Sequence, residues 1–234
     1  MLDNPSIREL GNLRWIFIGS RRPLTNFSYA VDWALYGAPF GFHLTNVILH
    51  AINTLLLYLL ARRLLADDWA GFSAAAIFAV HPLLTETVGY VSSRAGLLCT
   101  LFLLAGTWSF LRGLERRAFW ILTALCWPLA AASKETGLLL PVLCVAADLS
   151  FGKLPRRRRI LFLYLPAGIL ALVAGGIRLA SYLRLEGGAH RPDLLTQAHV
   201  FWRYVFLFVA PVGQSLVHEV GVSDWPTGAT KRNT

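Results

Sequence analysis

The chain has 234 residues, of which 56% are hydrophobic and only 15% charged, against about 25% charged in a soluble domain. That balance excludes an ordinary soluble enzyme. The net charge of +9 invites a nucleic-acid partner, but the basic residues lie in alternate short loops between apolar blocks, so no nucleic acid is expected.

Residues 1–40 are mixed and amphipathic, hold Arg8, Arg14, Arg21 and Arg22, and carry no signal peptide. They predict an external loop with amphipathic helices. Apolar blocks follow at 41–64, 69–80, 95–111, 119–132, 137–147, 160–176 and 200–216. A crossing takes about 20 apolar residues, fewer when flanking groups snorkel. The expected fold class is therefore all-α, a polytopic transmembrane helical bundle with about six to seven membrane helices. Residues 41–177 form the transmembrane core, 178–199 an external loop, and 200–234 a further membrane or interfacial helix with a polar tail. Cys99, Cys126 and Cys144 each sit alone in an apolar block and read as small buried hydrophobes.

Loop charge orients the bundle. Arg62 and Arg63, then Arg112, Arg116 and Arg117, then Lys153 and the run Arg156 to Arg159 follow alternate blocks, while the intervening loops hold only Arg94 and Lys134. The positive-inside rule puts 62–69, 112–118 and 152–159 in the cytoplasm, and the loops at 81–94, 133–135 and 178–197 outside. Residues 1–40 then also lie outside. Exporting four arginines calls for a preceding helix, so the natural chain is expected to begin upstream of Met1; the polar end "SDWPTGATKRNT" likewise closes no structure.

Ionisable groups at membrane depth are costly and face the bundle interior or a wet cavity. In "HLTNVILHAINTLLL", Asn46, His50 and Asn53 share one helix face; both interhelical hydrogen bonding and cavity lining fit. His81 precedes Pro82, and a residue before proline is pushed out of the helical region, which predicts a helix break there. Broken backbone at that depth belongs in protein or against a cavity. In "AASKETG", Lys134 stands just before the next helix, and a cation beside a helix N-terminus suits a phosphate. The outer side thus gathers Arg22, His43, His81, Glu86, Arg94, Lys134 and Glu135. Each alone also fits a structural ion pair or a snorkelling side chain; their shared side favours an extracytoplasmic site. Four of them, His43, His81, Glu86 and Glu135, are metal-ligand types, although their spacing matches no standard metal motif; no metal or other cofactor is expected.

The segments "RRPLTNFSYAVDWALYGAPFGFHLTNVILHAINTLLLYLL", "HPLLTETVGYVSSRAGLL", "ASKETGLLLPVLCVAAD" and "FWRYVFLFVAPVGQSLVHEV" together resemble the GT-C fold glycosyltransferases that use polyprenyl-phosphate sugars. The likeness is closest to the transmembrane and tetratricopeptide-repeat O-mannosyltransferases and their bacterial relatives. It implies an inverting hexosyl or mannosyl transfer from a polyprenyl-phosphate donor to an acceptor hydroxyl on the outer face, with protein O-glycosylation as the expected outcome. Partners would be the lipid-linked sugar, the bilayer and an acceptor protein or glycan, in a multi-pass protein of the bacterial inner membrane with its site facing the periplasm or exterior. By matching position, Arg94, Lys134 and Arg22 would bind the donor phosphate, with His81, Glu135, His43 and His50 lining the site. The family's acidic base falls upstream of Met1; within the chain Asp3 and Glu86 are the candidates. A lipid-linked sugar transporter or flippase, or a non-catalytic anchor of a repeat-containing scaffold, are the alternatives that a polar cavity among helices also allows.

Overall fold

A computed structural model of the chain describes residues 22–151 and 194–209, with isolated positions at 14, 16, 17, 20, 161, 165, 168, 169, 172, 173 and 176. All regular structure among the described residues is helical. The chain divides into two compact units, residues 1–173 and 174–234. In the first, α1 spans Pro23–Tyr36, α2 Pro39–Leu65, α3 Asp68–Val80 and α4 Pro82–Gly89; a 3-10 turn at Val91–Ser93 leads into α5, Arg94–Gly113. Next come α6, Phe119–Ser133, a 3-10 segment at Glu135–Leu139, and α7, Leu140–Phe151. The second unit contributes α8, Leu194–Val209, whose described side chains are mostly exposed and apolar.

Local chemistry sets these boundaries. Both α1 and α2 begin with proline at the first helical position, where its missing N–H and fixed φ cost nothing. Gly37 closes α1 in the left-handed region at φ 59°, the conformation glycine tolerates best. Asp67 caps α3, its carboxylate accepting from the backbone N–H of Trp69 at 2.7 Å and of Ala70 at 3.0 Å. The break expected at His81 is present: His81 is extended at φ −64°, ψ 127°, and α4 leaves α3 at a bend of 55°.

Two helices are long and apolar enough to cross a bilayer, Pro39–Leu65 and Val91–Gly113, and the bent pair α3–α4 makes a third if it is one span. Helix α6 is apolar but shorter. The loop at 152–159, all but isolated positions of the block at 160–176, the loop residues 178–193 and the end of the last block at 210–216 fall outside the described residues, so the spans among the described residues number two or three. Val47, Ile48, Ile52 and Leu55 on α2 and Trp69, Phe72 and Ile77 on α3 point outward, an exterior that lipid stabilises and water does not. This is an integral membrane protein.

Its interior is layered along α2 and α5. Leu49 of α2 packs with Leu97 and Leu98 at the start of α5. Leu60, Phe110, Leu111, Cys126, Leu140, Cys144 and Ala147 join α2, α5, α6 and α7 toward the other end. At the α1 end, Tyr29 and Ala30 pack on Phe42. Small residues allow close crossing: a Cβ on Gly71 of α3 would fall 2.8 Å from the backbone nitrogen of Arg62 on α2.

Candidate functional site

Between these helices lies a cavity of about 390 Å³, within the usual range for a small-molecule site. Arg22 and Lys134 line it from one side. His50 and Asn53 of α2, Phe78 of α3 and Leu84 and Thr87 of α4 form a second wall; Ser92, Ser93, Ala95, Gly96, Leu97 and Thr100, at the head of α5, form a third. The head of α5, entered through the 3-10 turn, lies at the partially positive end of a long helix. With Arg22 and Lys134 it makes the cavity attractive to an anion.

Arg22 and Lys134 are far apart in sequence and are brought together by specific bonds. The Thr25 hydroxyl of α1 donates to the Ser133 carbonyl at the end of α6, 3.0 Å away. That bond seats the start of α1 on the residue preceding Lys134. Gly137 then lets the 3-10 segment fold back on α6, since a Cβ there would fall 2.2 Å from the Ala130 carbonyl oxygen. Arg22 donates from Nη2 to Glu135 Oε2 at 3.1 Å, a pair that remains about half exposed. Glu135's own backbone N–H and then the Arg22 guanidinium hold its carboxyl below the ordinary value, so it is ionised at neutral pH. Lys134 is half-buried and forms no ion pair with any described residue. Two cations facing one exposed carboxylate leave the rim net positive.

Behind the head of α5 sits a buried polar network. Arg94 is fully buried and pairs through Nη1 with Asp32 Oδ2 of α1 at 2.5 Å. Its Nε donates to Asn46 Oδ1 at 2.9 Å, and Nη2 donates to the Phe42 carbonyl at 2.7 Å. The guanidinium also lies 4.6 Å over the Tyr29 ring. Thr45 donates to the other Asp32 oxygen at 2.8 Å. Burial pushes the Tyr29 hydroxyl up to about 12, so it stays protonated and donates to the Val91 carbonyl at 2.7 Å. Apart from the Thr45–Asp32 bond, these contacts all end on the 3-10 turn or the first residue of α5, beside the cavity-lining Ser92 and Ser93.

The face carrying Asn46, His50 and Asn53 serves both purposes foreseen for it. Asn46 joins the Arg94 network, His50 Nε2 meets the Ala79 carbonyl at 3.1 Å where α3 ends, and Asn53 Nδ2 donates to the Leu97 carbonyl at 3.0 Å. His50 and Asn53 also line the cavity. His43 is exposed on the first turn of α2 and is not part of the cavity wall. His81 Nδ1 accepts from the Leu83 N–H at 3.3 Å, capping the break rather than lining the cavity. Asp3 lies outside the described residues; Glu86 is on α4 between the cavity-lining Leu84 and Thr87, and its side chain is likewise outside them. No group of three or more His, Cys, Asp or Glu able to hold a metal occurs among the described residues.

Asp32 is the residue sequence reasoning passed over. Its signal was indirect: a buried arginine requires a carboxylate, and Asp32 sits among apolar residues in "SYAVDWALY". The hydroxyls of Thr87, Ser92, Ser93 and Thr100 carried no signal at all until α4 and α5 were placed.

Comparison with known proteins adds what geometry alone leaves open. The family described as "Dolichyl-phosphate-mannose-protein mannosyltransferase" matches residues 29–175, the segment holding both the buried network and all of the cavity wall except Arg22. Among curated proteins, "Protein O-mannosyl-transferase F38B6.6" of Caenorhabditis elegans is 27% identical over 213 residues, 86% of this chain. "Protein O-mannosyl-transferase Tmtc2" of Drosophila melanogaster is 38% identical over 144 residues, 57% of this chain. "Protein O-mannosyl-transferase TMTC1" of Mus musculus is 32% identical over 179 residues, 64% of this chain. The chain spans 30%, 15% and 19% of these three relatives' own lengths, respectively. No solved structure matches it. The expected resemblance is thus met: with a family match over most of its helical core, the chain belongs to the dolichyl-phosphate-mannose-protein mannosyltransferase family.

Proposed function

We propose that the chain forms the donor-binding core of a membrane O-mannosyltransferase. It would take a hexose, mannose by family likeness, from a polyprenyl-phosphate donor and pass it to a hydroxyl of an acceptor protein. In this reading the chain is part of a GT-C bundle of six to seven membrane helices, and the site faces the extracytoplasmic side, the periplasm in a bacterial inner membrane. The observation that carries it is the convergence of Arg22, Lys134 and the head of α5 on one cavity among apolar helices.

In the reaction the acceptor oxygen bonds to the anomeric carbon, the bond from that carbon to the phosphate oxygen breaks, and its electron pair leaves with the phosphate. Fixed cations at that oxygen stabilise the charge as it develops, and they act most strongly where water is excluded. Arg22 and Lys134 take that role. Arg94, surrounded by Asp32, Asn46 and backbone carbonyls, holds the wall that carries Ser92 and Ser93 in place. Glu86, on the same short helix as cavity-lining Leu84 and Thr87, is the carboxylate of this region suited to receive the acceptor proton, as Asp3 would be from the preceding segment.

Lys134→Ala in the full-length protein, assayed for transfer of labelled mannose from mannosyl polyprenyl phosphate, should cut turnover about a hundredfold. Lys134→Arg should restore part of it, since the charge is kept and the geometry altered. Turnover near wild type in the alanine variant overturns the assignment.

A further inference from the structure

The cavity wall also holds groups whose chemistry differs from that of its two cations. Asn53 stands near the middle of α2, is 0% exposed, and uses Nδ2 on the Leu97 carbonyl. Its Oδ1 has no partner among the described residues. A buried amide oxygen without a donor is costly, and Asn53 is a wall residue of the cavity. His50, one turn earlier on the same face, donates from Nε2 to the Ala79 carbonyl, which can only accept, and also lines the cavity. Thr100 lines the cavity beside them.

Acceptors want donors. An ionised phosphate has no proton to give, so it cannot satisfy Asn53 Oδ1; it belongs with Arg22 and Lys134. A hydroxyl can. The volume of about 390 Å³ exceeds many times the ~30 Å³ share of one water, so there is room for a polyhydroxylated head group. We propose that Asn53, His50 and Thr100 form a hydroxyl-recognition subsite that reads the sugar of the donor. The inference rests on the donor reading given above and adds the residues that would distinguish a sugar-bearing lipid from its bare carrier.

The test measures binding of two probes to the full-length protein in nanodiscs, mannosyl polyprenyl phosphate and unsubstituted polyprenyl phosphate. Asn53→Ala should weaken the sugar-bearing lipid about tenfold and leave the bare lipid unchanged. Lys134→Ala should weaken both. Because Asn53→Ala also removes the bond to Leu97, Thr100→Val, nearly the same shape without the hydroxyl, is measured beside it, and thermal melting reports folding for each. Selective loss of the sugar-bearing lipid in either folded variant supports the subsite. Equal loss of both lipids, or no change in either, overturns it and leaves the donor reading standing. Failure of the wild-type protein to hold either lipid removes the donor reading, and the subsite with it.

Discussion

Arg94 and Lys134 are both cations next to a helix start, yet the structure separates them by burial. Arg94 is enclosed by Asp32, Asn46, Phe42 and Tyr29, whereas Lys134 faces the cavity without an ion-pair partner among the described residues. Removing one member of a buried ion pair leaves the other charged and unpaired, at a cost of about 3–5 kcal/mol. Arg94→Ala and Asp32→Ala should therefore each destabilise the protein by that amount. The double variant should lose clearly less than the sum, because each single change strands its partner. Thermal and denaturant unfolding in detergent checks this, and strictly additive losses would show that the two residues act separately. Sequence alone identified Arg94 as a residue needing an explanation, but not whether a ligand or a carboxylate supplies it. A helix carries no mark of which distant acid will pack against it.

At the scale of elements, the site depends on three junctions: the break between α3 and α4, the 3-10 entry to α5, and the turn after α6. The first was legible, since a residue before proline leaves the helical region whatever surrounds it. The turn after α6 was read as a helix N-terminus directly following Lys134; it is instead a 3-10 segment, Glu135–Leu139, that precedes α7. Glycine at 137 permits that geometry. Gly137→Ala places a Cβ within 2.2 Å of the Ala130 carbonyl oxygen, so the turn must move and carry Lys134 with it. The expected result is a lowered melting temperature together with a loss of donor affinity. By contrast, Gly96→Ala, where a Cβ meets open space, should leave melting unchanged or slightly raised, since alanine favours helix over glycine. Comparable damage from both substitutions would mean that the close approach at Gly137 is not what governs this region.

For the whole molecule, loop charge predicts an orientation that can be tested. Single cysteines introduced at 64–69 or 113–118 in the full-length protein, with Cys99, Cys126 and Cys144 replaced, should resist an impermeant thiol reagent in intact cells. Those at 88–92 should react. The reverse pattern would turn the cavity mouth toward the cytoplasm and end the extracytoplasmic reading. At the described ends of these loops, Arg63 pairs with Glu115 at 2.6 Å and Arg62 with Asp68 at 3.1 Å. Both pairs are partly exposed and contribute little to stability.

By itself the sequence determined the helical class, the membrane environment, the break at His81 and the family likeness, because each of these rests on local composition, spacing or residue order. Apolar length drives a segment into lipid irrespective of its neighbours, and proline acts on the residue beside it. Only the tertiary structure decided that Arg22 and Lys134 share a cavity, that Asp32 neutralises Arg94, and that Asn53 is left with an unpartnered oxygen. Those outcomes depend on which helix faces cross and how closely, and packing of that kind joins residues as far apart as Thr25 and Ser133 through contacts that no local pattern encodes.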